Sequence, residues 1–281
     1  RDLVRSRGLG DVYKRQVTLK GKAMTKIPRG DKSYIGKAVT VTVDRPIGTH
    51  HPKHPEIVYP INYGYVEGLL GGDGEEQDVY ILGVDKPVDK AECVIIATVM
   101  RTDDNEDKWV GVPSELVGSE LCCECNIVNA VHFQEQFHTS EIFALYEKTC
   151  GAVMYTGDGD DRRYFLIKNN SGHIGFPKGH IEYGENERET ALREVFEECG
   201  LEAELDEEFR AEYTFHTLDN TEKTSVFFAG RFDRDAAVKI QQEEVIGDWL
   251  LSYGDAMNKL NWEQDKAILK ACEEYLNSKQ N

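Results

Sequence analysis

The sequence contains no run of about 20 apolar residues, the length that a helix needs to cross a bilayer. Basic residues are also scarce, because 33 Lys and Arg stand against 51 Asp and Glu and leave a formal net charge of −18. Nucleic-acid polymers are bound by clustered Lys and Arg, so this balance argues against such a partner. The acidic excess instead suits sites that gather divalent cations. We therefore predict a protein with no membrane span and no nucleic-acid partner.

Cysteine is too sparse for a disulfide framework. The chain has seven cysteines, an odd number, in 281 residues, and no signal peptide is visible. We therefore expect reduced thiols and a cytoplasmic location. Cys122, Cys123 and Cys125 lie close together, but no second pair stands at a spacing typical of zinc sites. We interpret this cluster as structural, with a metal site as the alternative.

The first residues do not have the pattern of a folded element. The stretch SRGLGDVYKRQ, from Ser6 to Gln16, resembles an in-frame translation of a sequencing adapter. We therefore expect residues 1–23 to be a non-native, disordered leader, and the fold predictions leave it out. Met24 is then a candidate for the native start.

Residues 24–140 show the pattern of a β domain. Alternating or β-branched runs, punctuated by Gly and Pro, occupy 37–44, 78–84 and 93–100. Several short strands of this kind predict a small barrel. A helix is expected over about 119–137, and residues 139–149 are expected to form the connection to the second half.

Residues 141–281 combine strands with helices. Strands are predicted over 151–156, 162–169 and 223–232, with an acidic helix over 187–199. A last helix is predicted over about 254–276, interrupted by a break. Strands with helices on both faces form a layered fold, so the whole chain is predicted to be an α+β protein of two domains.

The acidic helix places like charges side by side. Glu194 precedes Glu197 by three residues and Glu198 by four, and such neighbours repel by a few tenths of a kcal/mol per pair. Grouped carboxylates suit Mg²⁺ or Mn²⁺, which would neutralise the repulsion. A solvated acidic face is the alternative. Gly200 suits a left-handed helix cap. The expected buried face consists of Ala191, Leu192, Val195 and Cys199.

These glutamates belong to a longer pattern, GHIEYGENERETALREVFEECGL, which runs from Gly179 to Leu201. It resembles the Nudix box of the Nudix hydrolases at every fixed position. The resemblance implies an α/β/α sandwich with a mixed sheet and metal-dependent cleavage of a phosphoanhydride in a nucleoside diphosphate linked to another group. It also implies that the metal is held by the Gly179 carbonyl and by the catalytic residues Glu194, Glu197 and Glu198.

The same resemblance assigns structural roles to Gly179, Glu185, Arg193 and Gly200. Glu185 and Arg193 match the structural pair of the box. Helical spacing also allows Arg193 to pair with Glu189 or Glu197 and hold the carboxylates in place.

Other segments narrow the resemblance to the asymmetrical bis(5′-nucleosyl)-tetraphosphatases. One of them, IGFPKGHIE, spans residues 174–182 and contains Lys178. The resemblance implies that Lys178 contacts a phosphate and that Tyr213 or Lys223 contacts the polyphosphate or the base. Two aromatic side chains, Tyr213 and Phe228, are candidates for an adenine platform or for the core, and the core is preferred.

The resemblance also implies a general base, and its candidates lie in the segment EEVIGDWL. Glu243 stands six residues before Trp249, a placement similar to that in the dinucleoside polyphosphate hydrolases. Glu244 is the competing candidate, and a solvated loop acid is the alternative for each.

The first half contains YPINYGYVEGLLGGDGEEQDVYILG, from Tyr59 to Gly83. It resembles soluble inorganic pyrophosphatase, which implies a small OB-like barrel. In this resemblance Asp73 and Asp78 match metal-binding aspartates, and Glu75 stands where the family places an Asp near the attacking hydroxide. Tyr63 matches a phosphate-binding tyrosine.

A second acidic segment, RTDDNEDKWVGVP, extends this resemblance. It offers Asp103 and either Glu106 or Asp107 as metal ligands, and Lys108 as a phosphate contact. Arg45 is a further phosphate candidate. Where the family has a Tyr-Lys pair this chain has Phe-His at 137–138, which weakens the expectation of activity. HHPKHP, residues 50–55, is either a compensating phosphate loop or, as we prefer, a surface loop.

The sequence thus predicts a cytoplasmic, Mg²⁺- or Mn²⁺-dependent Nudix hydrolase fused to a pyrophosphatase-like barrel. Its substrates are expected to be nucleoside polyphosphates, in particular dinucleoside polyphosphates such as diadenosine tetraphosphate, with pyrophosphate at the barrel. Two alternatives stay open. Either pyrophosphate hydrolysis is the main activity and the Nudix half senses nucleotides, or the barrel is inactive and only binds or makes a homo-oligomer.

Overall fold

The structure is a computed structural model, and it describes residues 25–102, 105–134, 140–218 and 221–279. The predicted leader, residues 1–23, lies outside these ranges. The chain divides into two compact units, one ending at Glu147 and the other beginning at Lys148. Among the described residues, no helix is both long enough and apolar enough to span a membrane.

The first unit is built on a closed barrel. Its first six strands are β1 (Thr25–Lys26), β2 (Ala38–Arg45), β3 (Asn62–Leu70), β4 (Glu76–Ile81), β5 (Lys90–Arg101) and β6 (Asp107–Val112). Five of them follow the order β3-β2-β5-β6-β4, and β4 pairs back onto β3 and closes the ring. The pairing of β4 with β6 is parallel, and the other four pairings of the ring are antiparallel. The predicted barrel is therefore present.

Two strands of the barrel, β4 and β6, have no exposed residue on either face. On β4, Val79 and Ile81 join one apolar cluster with Trp109, whereas Tyr80 belongs to a second cluster on the opposite face. Successive side chains of a strand point to opposite sides, so a β-branched run without polar alternation gives two buried faces. Full burial of one such side chain contributes about 1.5–3 kcal/mol, so both faces contribute to the stability of the barrel.

The helix predicted over 119–137 is broken. α1 covers only Glu124–Val131, with single 3₁₀ turns at Glu120–Cys122 and His132–Gln134. The break before α1 arises at Cys123, whose backbone is extended at φ −69° and ψ 138° and serves as the N-cap. Residues 135–139, including the predicted Phe-His departure, lie outside the described residues.

The segment 139–149 is not a connection, in contrast to the prediction. β7 (Ser140–Ala144) pairs antiparallel with β5 and so belongs to the barrel unit. β8 (Tyr146–Thr156) then begins after a single intervening residue. The division between the units therefore falls at 147/148 instead of the expected 140/141.

The second unit is a sheet with helices on both faces. Its further strands are β9 (Arg163–Asn169), β10 (Ile174–Gly175), β11 (Lys178–His180), β12 (Glu204–His216), β13 (Glu222–Arg231) and β14 (Val245–Leu251). The sheet order is β10-β9-β8-β13-β12, with β11 on β8 and β14 on β9. The helices are α2 (Glu187–Cys199), α3 (Tyr253–Lys259) and α4 (Glu263–Ser278).

Alternation along β8 separates the two helical layers. Ala152 and Met154 pack in a cluster with Val195 of α2, whereas Val153 packs in a cluster with Leu269 of α4. This two-sided core is the predicted layered arrangement. The predicted break in the last helix is also present, between α3 and α4.

The sequence predicts the ends of α2 better than its buried face. Asn186 makes a capping box with Glu189, and Gly200 ends the helix in the left-handed conformation at φ 66°. Leu192, expected in the core, is 39% exposed. The buried positions include Glu194 and Glu198 instead, at 8% and 7% exposure.

Candidate active site

Strand β11 holds helix α2 through three consecutive residues. The Lys178 N–H donates to Glu198 Oε2 at 2.9 Å, and the His180 carbonyl accepts from Arg193 Nη2 at 2.7 Å. Between them, Gly179 lies directly against Glu194, because a Cβ built on Gly179 would stand 2.1 Å from that carboxylate. Only glycine therefore fits at this position without displacing a predicted ligand.

Arg193 links the carboxylates of the site. Its Nε and Nη2 donate to the two oxygens of Glu185 at 2.6 and 3.0 Å. Its Nη1 donates to Glu194 at 2.6 Å and to Glu197 at 2.9 Å. Of the two helical pairings expected for Arg193, only the one with Glu197 is seen. Glu189 instead accepts from the Asn186 N–H at 2.9 Å.

Burial and neighbouring charge disfavour the ionised forms of two of the carboxylates on α2. Burial, reinforced by the charge of Glu194, raises the pKa of Glu198 to about 8. Burial also raises the pKa of Glu194, although Arg193 acts in the opposite direction. Buried, clustered hard oxygen donors fit a divalent cation, which would favour their ionised forms.

A cavity of about 410 Å³ opens beside these groups. Lys178 and Lys223 line it together with Glu194 and Glu197, whereas Glu198 is not among its described lining residues. Lys223 Nζ lies 3.0 Å from His180 Nε2. Burial, followed by repulsion from Lys223, lowers the pKa of Lys178. The described residues that line the cavity are Thr149, Lys178, Gly179, His180, Glu182, Arg193, Glu194, Glu197, Lys223, Gln241 and Glu244.

The structure separates the two candidates for the general base. Glu244 lines the cavity, and its charge contributes to the raised pKa values of Glu194 and Glu198. Glu243 is not among the described lining residues, and its carbonyl accepts from the Asn170 side chain. The cavity lining therefore favours Glu244 over Glu243, the candidate that the sequence preferred.

Neither aromatic candidate for an adenine platform is an open surface. Phe228 is 3% exposed and lies beneath the Arg188 guanidinium. The half-buried Tyr213 donates its hydroxyl to Asp265 Oδ1 at 3.0 Å. The expected core role fits Phe228, whereas Tyr213 positions a buried carboxylate.

An aromatic group that the sequence reasoning missed lies around that carboxylate. Asp265 is fully buried and its Oδ2 lies 2.6 Å from His173 Nε2. The Trp262 ring lies 4.6 Å from the His173 ring and 5.6 Å from that of Phe215, and Trp262 is 37% exposed. The charge of Asp265 also contributes to the pKa of Lys178, which lines the cavity. The alternation of Tyr213 and Phe215 along YTFH in β12 was the available signal.

In the barrel, four of the predicted residues meet. Lys108 Nζ donates to Asp78 Oδ2 at 2.6 Å and also to Glu106. The Tyr63 hydroxyl donates to the same Asp78 oxygen at 2.5 Å. Burial and the charge of Asp78 raise the pKa of Glu106 to about 7. The two carboxylates, both predicted as metal ligands, share one ammonium group in this arrangement.

The other barrel candidates lie around this cluster. Asp107 faces away, since its Oδ2 accepts from the Gly30 N–H at 2.5 Å, and strand alternation explains its separation from Lys108. Asp73 and Glu75 are exposed on the turn before β4. Arg45 is the cross-strand partner of Tyr63 and pairs with Asp44. Asp103 lies outside the described residues.

The histidine-rich loop is folded by its own side chains. His51 Nδ1 accepts from the N–H groups of Lys53 and His54 at 3.2 and 3.1 Å, and His50 Nδ1 lies 2.7 Å from the Pro55 carbonyl. These contacts fit the preferred interpretation of a structured surface loop.

Comparison with known proteins agrees with the geometry of the second unit. The family model described as NUDIX domain matches residues 146–272. The asymmetrical bis(5′-nucleosyl)-tetraphosphatase of Rattus norvegicus is 30% identical over 140 residues, which cover 46% of this chain and 95% of the relative. The corresponding enzyme of Mus musculus is 28% identical over 140 residues, which again cover 46% of this chain and 95% of the relative. A binary complex of a C. elegans Ap4A hydrolase superposes with a TM-score of 0.44 at 19% identity, covering 47% of this chain and 98% of that one.

The fold, the carboxylate helix and these matches define a hydrolase that acts on phosphoanhydride bonds. The chain belongs to the Nudix family through its C-terminal domain, and it is similar to the Ap4A hydrolases. Nudix hydrolases generally use divalent metal ions, which agrees with the donor set on α2.

Proposed function

We propose that the C-terminal domain hydrolyses nucleoside polyphosphates, in particular dinucleoside polyphosphates such as diadenosine tetraphosphate, with Mg²⁺ or Mn²⁺. The cavity beside α2 is the observation that carries this proposal, because it contains both carboxylates and ammonium groups. A metal-bound polyphosphate needs both kinds of group, since carboxylates hold the cation while lysines contact phosphate oxygens.

Each residue has a role that its position supports. Glu194, Glu197 and Glu198 would hold the cation together with the Gly179 carbonyl, and Arg193 orients the first two of these carboxylates. When bound, a divalent cation supplies neutralisation of phosphate charge and lowers the pKa of coordinated water.

The lysines and a glutamate complete the cavity. Lys178 and Lys223 bind phosphate oxygens, and an anion beside Lys178 offsets the burial that lowers its pKa. Glu244 accepts the proton of the attacking water, because its carboxylate lines the same cavity as Glu194 and Glu197. Phe215 and Trp262 offer the base a partly exposed aromatic surface for stacking.

The test is a substrate panel on the full chain, with products identified by chromatography. Asymmetric cleavage of diadenosine tetraphosphate to a nucleoside monophosphate and a triphosphate is expected. Glu197→Gln should lower the rate by about 100-fold or more, as loss of a positioned charge at a reacting group does. Glu202→Gln makes the same charge change at an exposed site outside the cavity and should leave the rate unchanged. Turnover that survives complete chelation would contradict the proposal.

The choice of base is tested separately. Glu244→Gln should lower kcat by about 100-fold or more, the loss expected when a general base is removed, whereas Glu243→Gln should retain the wild-type kcat. The reverse outcome would restore Glu243 as the base.

We propose as a second function that the barrel binds inorganic pyrophosphate, with hydrolysis as its expected reaction. The contact of Tyr63 and Lys108 with Asp78, and the position of Arg45 opposite Tyr63, support an anion site. Release of orthophosphate that disappears in Lys108→Met would support a diphosphatase. Binding without orthophosphate would make the barrel a binding module, and failure to bind would reject the proposal. We place both reactions in the cytoplasm, because seven cysteines in 281 residues are too few, and odd in number, for a disulfide framework.

A further inference from the structure

The three clustered cysteines before and within α1 occupy two different environments. Cys122 is fully buried, its thiol donates to the Leu116 carbonyl at 3.2 Å, and burial raises its pKa. Cys123 and Cys125 are half-buried. The Cys125 thiol lies 3.1 Å from the Cys123 sulfur.

The backbone at the start of α1 produces this contact. Cys123 is the N-cap with an extended conformation, and Cys125 lies in the first turn, so one intervening residue brings both side chains together. A disulfide requires the sulfur atoms to approach to about 2.05 Å from this starting distance of 3.1 Å. Small side-chain rotations can cover that difference without unfolding the helix.

We propose that Cys123 and Cys125 form a reversible modification site that is oxidised by small-molecule disulfides such as glutathione disulfide. One thiolate attacks the small disulfide and displaces a glutathione thiolate, leaving a mixed disulfide on the protein. The second thiolate then attacks the protein sulfur and displaces the remaining glutathione. Two protein thiols are oxidised to one disulfide, while one glutathione disulfide is reduced to two glutathione molecules.

Proximity and exposure explain why this pair is selected. The second step is intramolecular, so it outcompetes attack by free thiols at moderate concentration. Cys122 cannot replace either partner, because its buried thiol is bonded to a carbonyl and is held as the unreactive neutral form. A disulfide that closes so small a ring is strained, and strained disulfides are readily reduced again.

The test treats the reduced full chain with glutathione disulfide, denatures it, blocks free thiols with N-ethylmaleimide and analyses the tryptic peptide 109–148 by mass spectrometry. This peptide contains all three cysteines and no others. The wild type should show an intramolecular disulfide, one maleimide and no retained glutathione. Cys123→Ser and Cys125→Ser should each retain one glutathione adduct, because the resolving thiol is absent.

Cys122→Ser is the matched control and should give the same disulfide as the wild type. Stable glutathione adducts on the wild-type peptide would overturn the proposal, and so would unreacted Cys123 and Cys125. A disulfide formed as fast in Cys123→Ser would also overturn it, since Cys122 would then be reactive. Reduced glutathione should restore the wild-type thiols, and failure to do so would contradict reversibility.

Discussion

At the scale of single residues, Gly179 shows how tightly the site is assembled. A methyl group there would stand 2.1 Å from the Glu194 carboxylate, so Gly179→Ala must move a proposed metal ligand. We expect kcat to fall about 100-fold, the loss typical of a misplacement near 1 Å. The measurement is steady-state hydrolysis of diadenosine tetraphosphate.

The control for this prediction is Gly254→Ala. Its Cβ would meet nothing within 4 Å, and its backbone has no positive φ. Its activity should equal that of the wild type. A Gly179→Ala protein of undiminished kcat would show that Glu194 is not needed in its present position.

The residues of the site were predicted unevenly from the sequence, for physical reasons. Helical spacing correctly placed three glutamates together, but it could not reveal that Glu194 and Glu198 are buried while Leu192 is exposed. That orientation depends on β11, which supplies backbone contacts that no periodicity encodes. The difference between Glu243 and Glu244 likewise arises in the turn before β14, where Glu244 is among the described residues that line the cavity and Glu243 is not.

At the scale of elements, the two ends of α2 make separable contributions to stability. Gly200 adopts φ 66°, so Gly200→Ala should lower the free energy of unfolding by about 1–2 kcal/mol. Asn186→Ala removes the capping box and should cost about 1 kcal/mol. Urea unfolding of the full chain, followed by a probe in the C-terminal domain, measures both.

Since these positions lie outside the cavity, folded protein of either variant should retain its kcat. If Gly200→Ala proved as stable as the wild type, the left-handed cap would not be needed.

The end of α4 is fastened to β12 by an ion pair that should give a pH dependence. Burial alone would raise the pKa of Asp206, but hydrogen bonds from Lys279 and Tyr275 more than offset this and lower it to about 2. A carboxyl with a depressed pKa in the folded state stabilises the fold above its unfolded pKa, near 3.9. That contribution should disappear as the pH falls from about 4 to about 2.

Asp206→Asn tests this sign. It should lower the thermal midpoint at pH 7, and the difference from the wild type should be much smaller at pH 2, where the folded carboxyl is about half protonated. An equal difference at both pH values would show that the carboxylate charge is not involved.

Strand alternation decides a choice at the start of β6 that the sequence had left open. The sequence left open whether Glu106 or Asp107 joins Lys108, and period-two geometry selects Glu106. The barrel itself followed from β-branched runs, whereas β12 was missed because its alternation consists largely of charged residues. The short α1 could not be foreseen, since the extended backbone at Cys123 depends on its tertiary surroundings.

At the scale of the whole molecule, the two proposed activities rest on different units and should be separable in one chain. Glu197→Gln should abolish nucleotide hydrolysis and leave pyrophosphate binding intact. Lys108→Met should do the reverse, because it removes the ammonium group that Asp78 and Glu106 share.

Both substrates should be measured on both full-length variants, with orthophosphate and nucleotide products quantified. Loss of both activities in Lys108→Met would indicate coupled units, provided that circular dichroism shows a folded chain. If Lys108→Met bound and hydrolysed pyrophosphate as the wild type does, the proposed pyrophosphate site in the barrel would be rejected.

The three consecutive contacts of β11 also limit how this segment can vary. Lys178, Gly179 and His180 each contact a different residue of α2, so the spacing of these three residues along the chain must match the spacing of their partners on the helix. Inserting or deleting one residue between Phe176 and Glu182 would shift all three contacts at once, while many side-chain replacements would disturb only one. We therefore expect this segment to tolerate many side-chain substitutions better than a change in its length.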